Sequence, residues 1–532
     1  MGTTSDFDLL VVGGGINGTA IARHAAGDGL SVLLCERDDL ASHTSSASTK
    51  LIHGGLRYLE HYDFKLVREA LIEREVLLQA APHIIWPMRF VLPYGKAKLG
   101  RGMRPAWMLR LGLFLYDHLG GRKILPSTTT IRPNDPAIGE VLQEGFELGF
   151  EYSDCWVEDS RLVVLNAVDA VARGANIRTR TTVSAIRAVD AGVDAGVDEG
   201  YEAELQDADG RRAQVRARAV VNAAGPWVAD MLQRTESGVP RTNRSELRLV
   251  KGSHIVVPKL YGHDRAYIFQ NADNRVVFAI PYERDYTLIG TTDEAYELAE
   301  GAPEISDGEI GYLCRAASEY FKTAVVPGDI VWTYSGVRPL YDDQASDASS
   351  VTRDYVLDLR KTASGAPMLS VYGGKITTSR HLALDAMQTL HPLLAGGRKA
   401  SNWTRKAVLP GGDIPELDAE AYAAALSARH PGLSPRLILR LVRAYGSDVP
   451  GMLDGAPAED TTSLTPRLPD GLIPAEIRHM VGVEFATQAD DILWRRSKLG
   501  LHMTAGERAA FAAWFAAEHD GRESAAPSEV VE

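Results

Sequence analysis

The sequence predicts an α/β protein that also carries an antiparallel sheet and a helical C-terminal part, and three observations predict this fold class. A strand–turn–helix–strand unit occupies residues 8–36. Residues 247–292 contain short apolar runs separated by turn residues, which is the pattern of an antiparallel sheet. After residue 400, apolar residues recur at helical spacing between Gly and Pro residues, which predicts a small all-helical domain.

The N-terminal unit contains glycines in G-x-G-x-x-G spacing between a buried strand (Asp8–Val12) and a helix (Ile16–Gly27). Gly13 permits the tight turn, Gly15 lets the backbone approach a pyrophosphate, and Gly18 lets helix and strand pack closely. The free N–H groups at the helix N-terminus attract the phosphate charge. The unit therefore predicts the phosphate-binding turn of a Rossmann-like fold.

A second apolar strand, Ser31–Cys35, follows the helix and ends at Glu36. An acid about 20 residues beyond the glycines can accept hydrogen bonds from a ribose diol. A plain strand–turn–helix unit would leave Glu36 unexplained, so dinucleotide binding is favoured. Later strands within residues 183–222 are predicted to form a small β-meander that returns the chain to the nucleotide at Gly225.

The bulk composition disfavours several classes of function. The chain has 532 residues, a net charge of −13 and a pI near 5.6, so nucleic acid is not expected as a partner. The three cysteines (Cys35, Cys155 and Cys314) lack zinc spacing, so we expect free thiols, a reducing compartment and no metal site. We expect a cytoplasmic protein, because a secretory signal is missing and no run reaches the roughly 20 apolar residues of a membrane-spanning helix.

A Ser/Thr-rich loop leads into a Gly pair and a basic residue within His43–Glu60. Small residues at Gly54 and Gly55 let the backbone approach a flat ring or a phosphate, and hydroxyl groups can bond to either. Arg57, which precedes Tyr58, can grip a phosphate or a carboxylate with its planar guanidinium. A Ser-rich surface loop before a helix remains the alternative.

Further basic side chains suit an anionic substrate. His254 opens a strand in the sequence KGSHIVV, although a lone histidine is more often structural. Arg338 and Arg353 flank an acidic, Ser-rich loop (342–350), although arginines are also common on solvated faces. Lys375 follows a Gly pair and precedes a helix, whose free N–H groups would help it to stabilise negative charge; a capped helix start is the alternative.

Six ordered motifs (VVGGGINGTAIARHAAGDGL, SSASTKLIHGGLRYLE, NAAGPW, KGSH, SGVRPL and YGGKITT) resemble those of flavin-dependent glycerol-3-phosphate dehydrogenases. The resemblance covers nearly the whole chain. Departures occur at Ser379, where the family usually has Tyr, and at His24, where Asp is common. The resemblance implies oxidation of glycerol 3-phosphate to dihydroxyacetone phosphate, with the C2 hydride passing to flavin N5 and the flavin reoxidised by membrane quinone.

The resemblance also implies a role for each basic residue. Substrate contacts are expected from Arg57, Tyr58, Arg353 and Lys375, and Lys375 would serve either substrate or flavin. His254 and Arg338 would lie near the reacting C2 oxygen. We favour His254 as the base, because a neutral imidazole accepts a proton near pH 7. Arg338 cannot normally deprotonate and would stabilise the developing alkoxide.

The cofactor is expected to be FAD rather than NAD, because several segments return to the first fingerprint, as enclosing a whole FAD requires. The residues expected to contact it are Gly13, Gly15, Asn17, Gly18, Glu36, Arg37, Ser46, Ser48, Thr49, Gly54, Gly55, Val183, Ala224, Gly225, Trp227, Gly374, Lys375, Ile376 and Thr377. The alternatives are an oxidase that uses oxygen, a non-redox carrier of the same fold, and an amino-acid oxidase. The basic residues argue against the carrier, and three arginines suit a dianionic phosphate better than a carboxylate.

The expected domains are discontinuous. A Rossmann-like FAD-binding domain would comprise residues 1–80, 161–250 and 335–400, and an antiparallel-sheet substrate-binding domain residues 81–160 and 251–334. A C-terminal all-helical domain would span residues 401–520, followed by a disordered tail (521–532).

A basic, apolar segment suggests membrane contact. Residues 96–123 contain seven basic residues that bracket Trp107–Leu119. An interfacial helix and a core helix with snorkelling arginines explain this pattern equally well. The quinone chemistry of the resembled family favours peripheral binding at the inner face of the cytoplasmic membrane. The assembly is expected to be a homodimer.

Overall fold

The computed structural model describes residues 5–95, 105–132, 136–146, 148–189, 199–235, 247–271, 273, 275–341, 354–464 and 470–519. The predictions of a loop at 342–350 and a tail at 521–532 lie outside these ranges.

The strands are β1 (Ser5–Val12), β2 (Val32–Cys35), β3 (Leu51–Ile52), β4 (Ile85–Tyr94), β5 (Thr129–Ile131), β6 (Leu148–Val157), β7 (Asn176–Arg178), β8 (Thr181–Val189), β9 (Gly200–Asp207), β10 (Arg212–Asn222), β11 (Leu247–Pro258), β12 (Ala266–Gln270), β13 (Val276–Tyr282), β14 (Tyr286–Gly290), β15 (Glu294–Ala295), β16 (Trp332–Tyr341), β17 (Val356–Lys361) and β18 (Pro367–Tyr372). The α-helices are α1 (Ile16–Gly27), α2 (Phe64–Ala80), α3 (Ala106–Leu119), α4 (Pro136–Gly139), α5 (Asp159–Ala172), α6 (Val228–Gln233), α7 (Asp307–Ser318), α8 (Ser379–Leu394), α9 (Ala419–Arg429), α10 (Pro435–Tyr445), α11 (Val449–Leu453), α12 (Pro474–Gly482) and α13 (Ala505–His519).

The first sheet is built around β1, in the order β17-β18-β10-β1-β2-β7. The strands from β18 to β7 are parallel, and β17 adds an antiparallel edge. Strands β8 and β9 continue from β10 as an antiparallel meander. Helices α1 and α8 bury Leu9 and Val11 on one face of β1, and the meander helps to bury Leu10 on the other. Because residues alternate along a strand, a strand covered on two faces is apolar throughout.

The second sheet runs β15-β11-β14-β13-β12-β4-β6-β3, with β16 on β11 and β5 on β6. All of these pairs are antiparallel except β12 with β4. The antiparallel sheet predicted for residues 247–292 is confirmed. Helix α7 packs on it through Leu313 and Ala317, which share a core with Ile255 and Val257 of β11.

The predicted domain boundaries at residues 250 and 335 fall inside β11 and β16. These strands pair along their lengths, with Val250 opposite Arg338. We propose to draw the boundaries ahead of Leu247 and after Tyr341, because a strand and its partner share one hydrogen-bonded ladder.

Helices α9 to α13 form a separate C-terminal core. One segment predicted as helical, ADDILWRRSKLG, contains a short π-helix (Asp491–Arg496), and Lys498, two residues beyond its end, lies in the left-handed region with φ +60°. Within the described ranges, no helix is both long and apolar enough to cross a bilayer.

Candidate active site

The glycines of the N-terminal turn are required by close backbone contacts. Gly13 has φ +108°, and a Cβ there would lie 2.5 Å from the carbonyl oxygen of Ala223. A Cβ on Gly18 would lie 1.9 Å from the carbonyl oxygen of Gly13, and one on Gly15 would lie 3.1 Å from Ser45 Oγ. The turn therefore packs strand, helix and the segment after β10 together, as a dinucleotide-binding turn requires.

A cleft of about 140 Å³ opens in front of this turn. The predicted cofactor residues that line the cleft are Gly13, Gly15, Glu36, Arg37, Val183, Ala224, Gly225 and Trp227. Residues that line it without having been predicted include Thr181, Thr182, Asp230, Met231 and Arg234.

Glu36 is buried at the end of β2, where it fixes two backbone turns. Its Oε2 accepts a hydrogen bond from Gly14 N (2.6 Å), and its Oε1 accepts one from Asp38 N (2.9 Å). Burial raises the pKa of the Glu36 carboxyl, although these backbone hydrogen bonds oppose the shift. Part of the acceptor capacity that we predicted for a ribose diol is thus used within the chain.

Arg37 and Trp227 form a flat wall of the cleft. The Arg37 guanidinium lies 3.9 Å from the centroid of the Trp227 ring, and the His43 ring meets the same indole edge-on at 4.7 Å. His43 Nε2 also lies 2.8 Å from Asp38 Oδ2. These packed groups are suited to contact a planar ring or a sugar.

The Ser/Thr-rich loop connects the cleft with the second sheet. Ser46 Oγ donates to His43 O (3.2 Å), and Ser48 Oγ donates to Asp159 Oδ2 (2.8 Å). The fully buried Lys50 ammonium donates to both Asp159 oxygens at 2.9 Å. Thr49, between these anchors, reaches the predicted base, because its Oγ1 lies 3.0 Å from His254 Nε2.

His254 lies on β11 and is 2% exposed. Its ring stacks on Tyr334 at 4.7 Å, while Nδ1 is buried with no hydrogen-bond partner in the described structure. Burial, assisted by the charges of Lys50 and Arg338, lowers the pKa of His254 to about 3. The imidazole is therefore neutral near pH 7 and can accept a hydrogen bond or a proton.

Arg338 lies on β16, four residues from Tyr334, in the strand that pairs with the strand of His254. Its Nη2 donates to the Thr292 carbonyl oxygen (3.1 Å) and lies 2.6 Å from Asp293 Oδ1. The side chain remains 34% exposed, and the guanidinium has further donors for a ligand. Asp293, which partly balances this cation, was not predicted.

Lys375 and Arg57 supply further positive charge. The Lys375 Nζ atom lies 3.9 Å from the centroid of the Tyr58 ring and is buried without a hydrogen-bond partner among the described residues. Arg57 is half-buried. Gly55 lets Tyr58 fold back, because a Cβ there would lie 2.3 Å from the ring. Arg353 lies outside the described residues.

The segment after β18 is tied to the N-terminal turn and to the Gly-pair loop. Asn17 Nδ2 donates to Gly373 O (3.1 Å), and a Cβ on Gly374 would lie 3.0 Å from the same amide nitrogen. Thr377 Oγ1 accepts from His53 N (3.2 Å), and Ile376 begins the single 3-10 turn that contains it. The structure thus brings together three segments that were predicted to contact the cofactor: the N-terminal turn, the Gly-pair loop and the segment after β18.

Two supporting networks were missed from the sequence. Tyr116 of α3 accepts a hydrogen bond from Gly54 N (2.7 Å) and donates to Asp154. Glu309 accepts from Thr292 Oγ1 (2.5 Å), and so fixes the segment whose carbonyl holds Arg338. A sequence signal for Glu309 existed, because S-x-x-E before an apolar run predicts a capping box.

These residues fit a bound FAD. The backbone leaves no room for a side chain at Gly13 or Gly18, and the turn leads into the N-terminus of α1, whose cap residue Gly15 supplies no side-chain hydrogen bond. The Lys375 ammonium, buried without a hydrogen-bond partner among the described residues, is suited to an anionic part of a cofactor or substrate.

Comparison with known families agrees with this geometry. A family model described as FAD dependent oxidoreductase matches residues 8–380, and one described as the C-terminal domain of alpha-glycerophosphate oxidase matches residues 402–518. The chain belongs to the FAD-dependent oxidoreductase family, which confirms the predicted cofactor. The predicted fold class is likewise confirmed.

Among curated proteins, the chain is 49% identical to D-erythritol 1-phosphate dehydrogenase of Brucella abortus, over 96% of this chain and 97% of that protein. It is 48% identical to glycerol-3-phosphate dehydrogenase of Pseudomonas aeruginosa, over 97% and 96% of the two chains. The solved glycerol-3-phosphate dehydrogenase from Bacillus halodurans complexed with FAD superposes with a TM-score of 0.69 at 25% identity, covering 97% and 91%. The resemblance to flavin-dependent glycerol-3-phosphate dehydrogenases is thereby confirmed.

Proposed function

We propose that this protein oxidises glycerol 3-phosphate to dihydroxyacetone phosphate and passes the electrons to a membrane quinone. The observation that carries the proposal is a cationic site built on one short segment of the chain, residues 49–58. Thr49 of this segment contacts the neutral His254, and Tyr58 contacts the unpartnered Lys375. Near-full-length identity of 48% to a curated glycerol-3-phosphate dehydrogenase supports the same substrate.

FAD, when bound, supplies the acceptor for the C2 hydride. Arg57 and Lys375 would hold the phosphate dianion, and Arg338 would stabilise the charge that develops on the C2 oxygen. With Nε2 donating to Thr49 Oγ1, His254 Nδ1 would accept the hydroxyl proton. The pKa of about 3 makes His254 a weak base before substrate binds. A dianionic substrate would raise that pKa, because nearby negative charge stabilises the imidazolium.

Single substitutions test these roles. His254→Ala and Arg338→Ala should each lower turnover by about 10²–10⁴-fold while FAD stays bound, as loss of a proton acceptor or charge stabiliser does. His263→Ala, at a half-buried histidine of the loop between β11 and β12, serves as a control. Turnover near that of the unmodified enzyme in either variant would remove that residue from the mechanism.

D-erythritol 1-phosphate is a second candidate substrate. The 49% identity to the Brucella abortus enzyme favours it about as strongly as the 48% relative favours glycerol 3-phosphate. The two substrates share a terminal phosphate beside a secondary hydroxyl, so the same cations would serve either. The ratio of kcat/KM values for the two compounds, measured with one artificial acceptor, decides between them.

The electron acceptor separates the proposed dehydrogenase from an oxidase. A dehydrogenase of this kind should reduce a soluble quinone analogue and release little hydrogen peroxide in air. A yield of one hydrogen peroxide per substrate oxidised would show that oxygen, not a quinone, is the electron acceptor.

Helix α3 supports peripheral binding to the membrane surface. Trp107, Leu111 and Phe114 recur at helical spacing and are 66%, 50% and 55% exposed. Leu113 and Tyr116 are buried on the opposite side, so one apolar face is unpartnered while the other packs on the protein. An apolar face flanked by basic residues is typical of interfacial helices. Of the basic residues that we predicted to bracket this helix, those at 96–104 lie outside the described ranges.

Vesicle sedimentation tests this contact. The protein should bind vesicles of anionic phospholipid at low salt, and Trp107→Ser with Phe114→Ser should weaken binding at least tenfold. Val326→Ser with Val331→Ser, at two residues that are each 49% exposed elsewhere, is the matched control. Equal binding by the two double variants would refute a role for α3. A homodimer stays a prediction, which light scattering in solution tests.

A further inference from the structure

We infer that Arg495 and Arg496 of the C-terminal domain are positioning residues for FAD. They act through Asp39, which lies in the loop that forms one wall of the cofactor cleft. This role concerns cofactor binding and does not depend on which polyol phosphate is oxidised.

Asp39 is 2% exposed and is surrounded by the two guanidinium groups. Arg496 forms a bidentate pair with it, since Nη1 lies 2.6 Å from Oδ2 and Nη2 lies 2.8 Å from Oδ1. Arg495 Nε adds a contact of 2.5 Å to Oδ2. Arg496 is anchored in turn, because its Nε and Nη2 donate to the carbonyl oxygen of Glu484. The pair therefore ties two elements that are 457 residues apart in sequence.

The backbone around Asp39 shapes the cleft directly. Its carbonyl oxygen accepts a hydrogen bond from Ser42 N (3.2 Å), and Ala41 N donates to Gly14 O in the glycine turn (3.3 Å). Ala41 adopts φ +61°, which is unfavourable for a residue with a Cβ and has to be held by its surroundings. Ala41 and Ser42 line the cleft. A shift of Asp39 would therefore move the wall that faces the cofactor.

A second ion pair of the same π-helix fixes the segment next to Asp39 in the cleft wall. Asp491 is fully buried and accepts from Arg180 Nη2 at 2.9 and 3.1 Å. The Arg180 backbone N donates to Asp38 O (2.8 Å), and the next residue, Thr181, donates to Glu36 O (2.8 Å) and lines the cleft. The π-helix thus holds two neighbouring segments of the cofactor site at once.

The contacts of Asp39 differ from an ordinary stabilising ion pair because they hold a segment that lines the cofactor cleft. Arg440 and Glu476 form a bidentate pair at 2.6 and 2.7 Å within the helical domain, with Glu476 fully buried and Arg440 13% exposed. That pair touches none of the residues that line the cleft. Breaking either pair leaves a charge buried without its partner, but only the Asp39 pair should change cofactor affinity.

The test measures FAD binding to full-length protein, by titration of the cofactor-free form and by the rate of FAD release from the loaded form. Arg496→Gln should weaken FAD binding at least tenfold, and Arg496→Lys should restore part of the loss, because a lysine keeps the charge without the bidentate geometry. Arg440→Gln should leave the FAD dissociation constant within twofold. Arg495→Gln changes a side chain that is 17% exposed, and so tests the inference if Arg496→Gln does not fold.

Thermal unfolding of each variant separates positioning from stability. The inference requires weaker FAD binding in the Arg495 or Arg496 variants than in Arg440→Gln when the melting temperatures of their cofactor-free forms are alike. Equal FAD affinity in all variants, or losses that simply follow the melting temperature, would overturn it.

Discussion

Replacement of Lys375 by Met should lower the activity without lowering the stability of the cofactor-free protein. The Lys375 ammonium is buried without a hydrogen-bond partner in the described structure, and its closest favourable contact is the Tyr58 ring at 3.9 Å. That contact contributes about 0.5–2 kcal/mol, whereas removing the ammonium nitrogen from water without a hydrogen-bond partner costs free energy. Lys375→Met keeps the length of the side chain and removes the charge, so the cofactor-free protein should not lose stability.

The activity should fall because the same charge is available to an anion. Two unit charges about 4 Å apart interact by roughly 4 kcal/mol at an effective dielectric constant near 20. Since 1.4 kcal/mol is a factor of ten, kcat/KM for glycerol 3-phosphate should fall by about 10²–10³-fold.

Steady-state kinetics and thermal unfolding of the cofactor-free protein measure the two effects, with Lys361→Met as a control at an exposed lysine. A kcat/KM within threefold of the unmodified enzyme would refute the reasoning. A large drop in Tm would also refute it, because the ammonium would then be a structural group.

Three further predictions concern the surroundings of the site. Gly18→Ala should abolish FAD binding, because its Cβ would lie 1.9 Å from a carbonyl oxygen, whereas Gly112→Ala, with open space around it, should bind normally; normal binding by the first variant would contradict the tight turn. Burial and nearby arginines lower the pKa of His83 to about 3. Below pH 6.5 the His83 imidazole is therefore protonated in the unfolded chain but stays neutral in the folded protein. Stability therefore falls as the pH drops from about 6.5 towards 3, by roughly 1.4 kcal/mol per pH unit for this one group. The Tm of His83→Leu should fall less steeply over that pH range than the Tm of the unmodified protein. Parallel plots of Tm against pH for the two proteins would contradict the low pKa of His83. Glu309→Gln should lower kcat/KM about tenfold by loosening the segment that holds Arg338, and should also lower Tm because Glu309 pairs with Lys251 at 3.0 Å; unaltered kinetics would exclude this support.

The parts of the fold that sequence predicts are those with a local pattern. The strand, turn and helix around Gly13 are set by residues within one short stretch, and the structure places α1 at the predicted residues, Ile16–Gly27. The antiparallel character of residues 247–292 also follows from local alternation. The π-helix at Asp491–Arg496 was predicted only as helical, because apolar spacing over six residues does not distinguish the two kinds of helix.

Sequence predicts those residues of the candidate site whose side-chain chemistry is specific. It does not predict residues whose role depends on a contact with a distant part of the chain. Lys375 stands out in sequence because it follows a Gly pair, but its contact with Tyr58 joins positions that no local pattern links. Asp293 and Asp39 resemble ordinary surface acids in sequence. Only the fold shows that each faces an arginine, within the second sheet for Asp293 and across domains for Asp39.

The most direct test of the proposed function is anaerobic reduction of the bound flavin. The purified, oxidised protein is mixed with glycerol 3-phosphate without oxygen, and the visible flavin band is followed. Bleaching with glycerol 3-phosphate, but not with glycerol or an amino acid, is the predicted result and would show that bound flavin, substrate and phosphate act together. An unchanged flavin spectrum would contradict the proposed substrate while leaving the fold and the cofactor assignment intact.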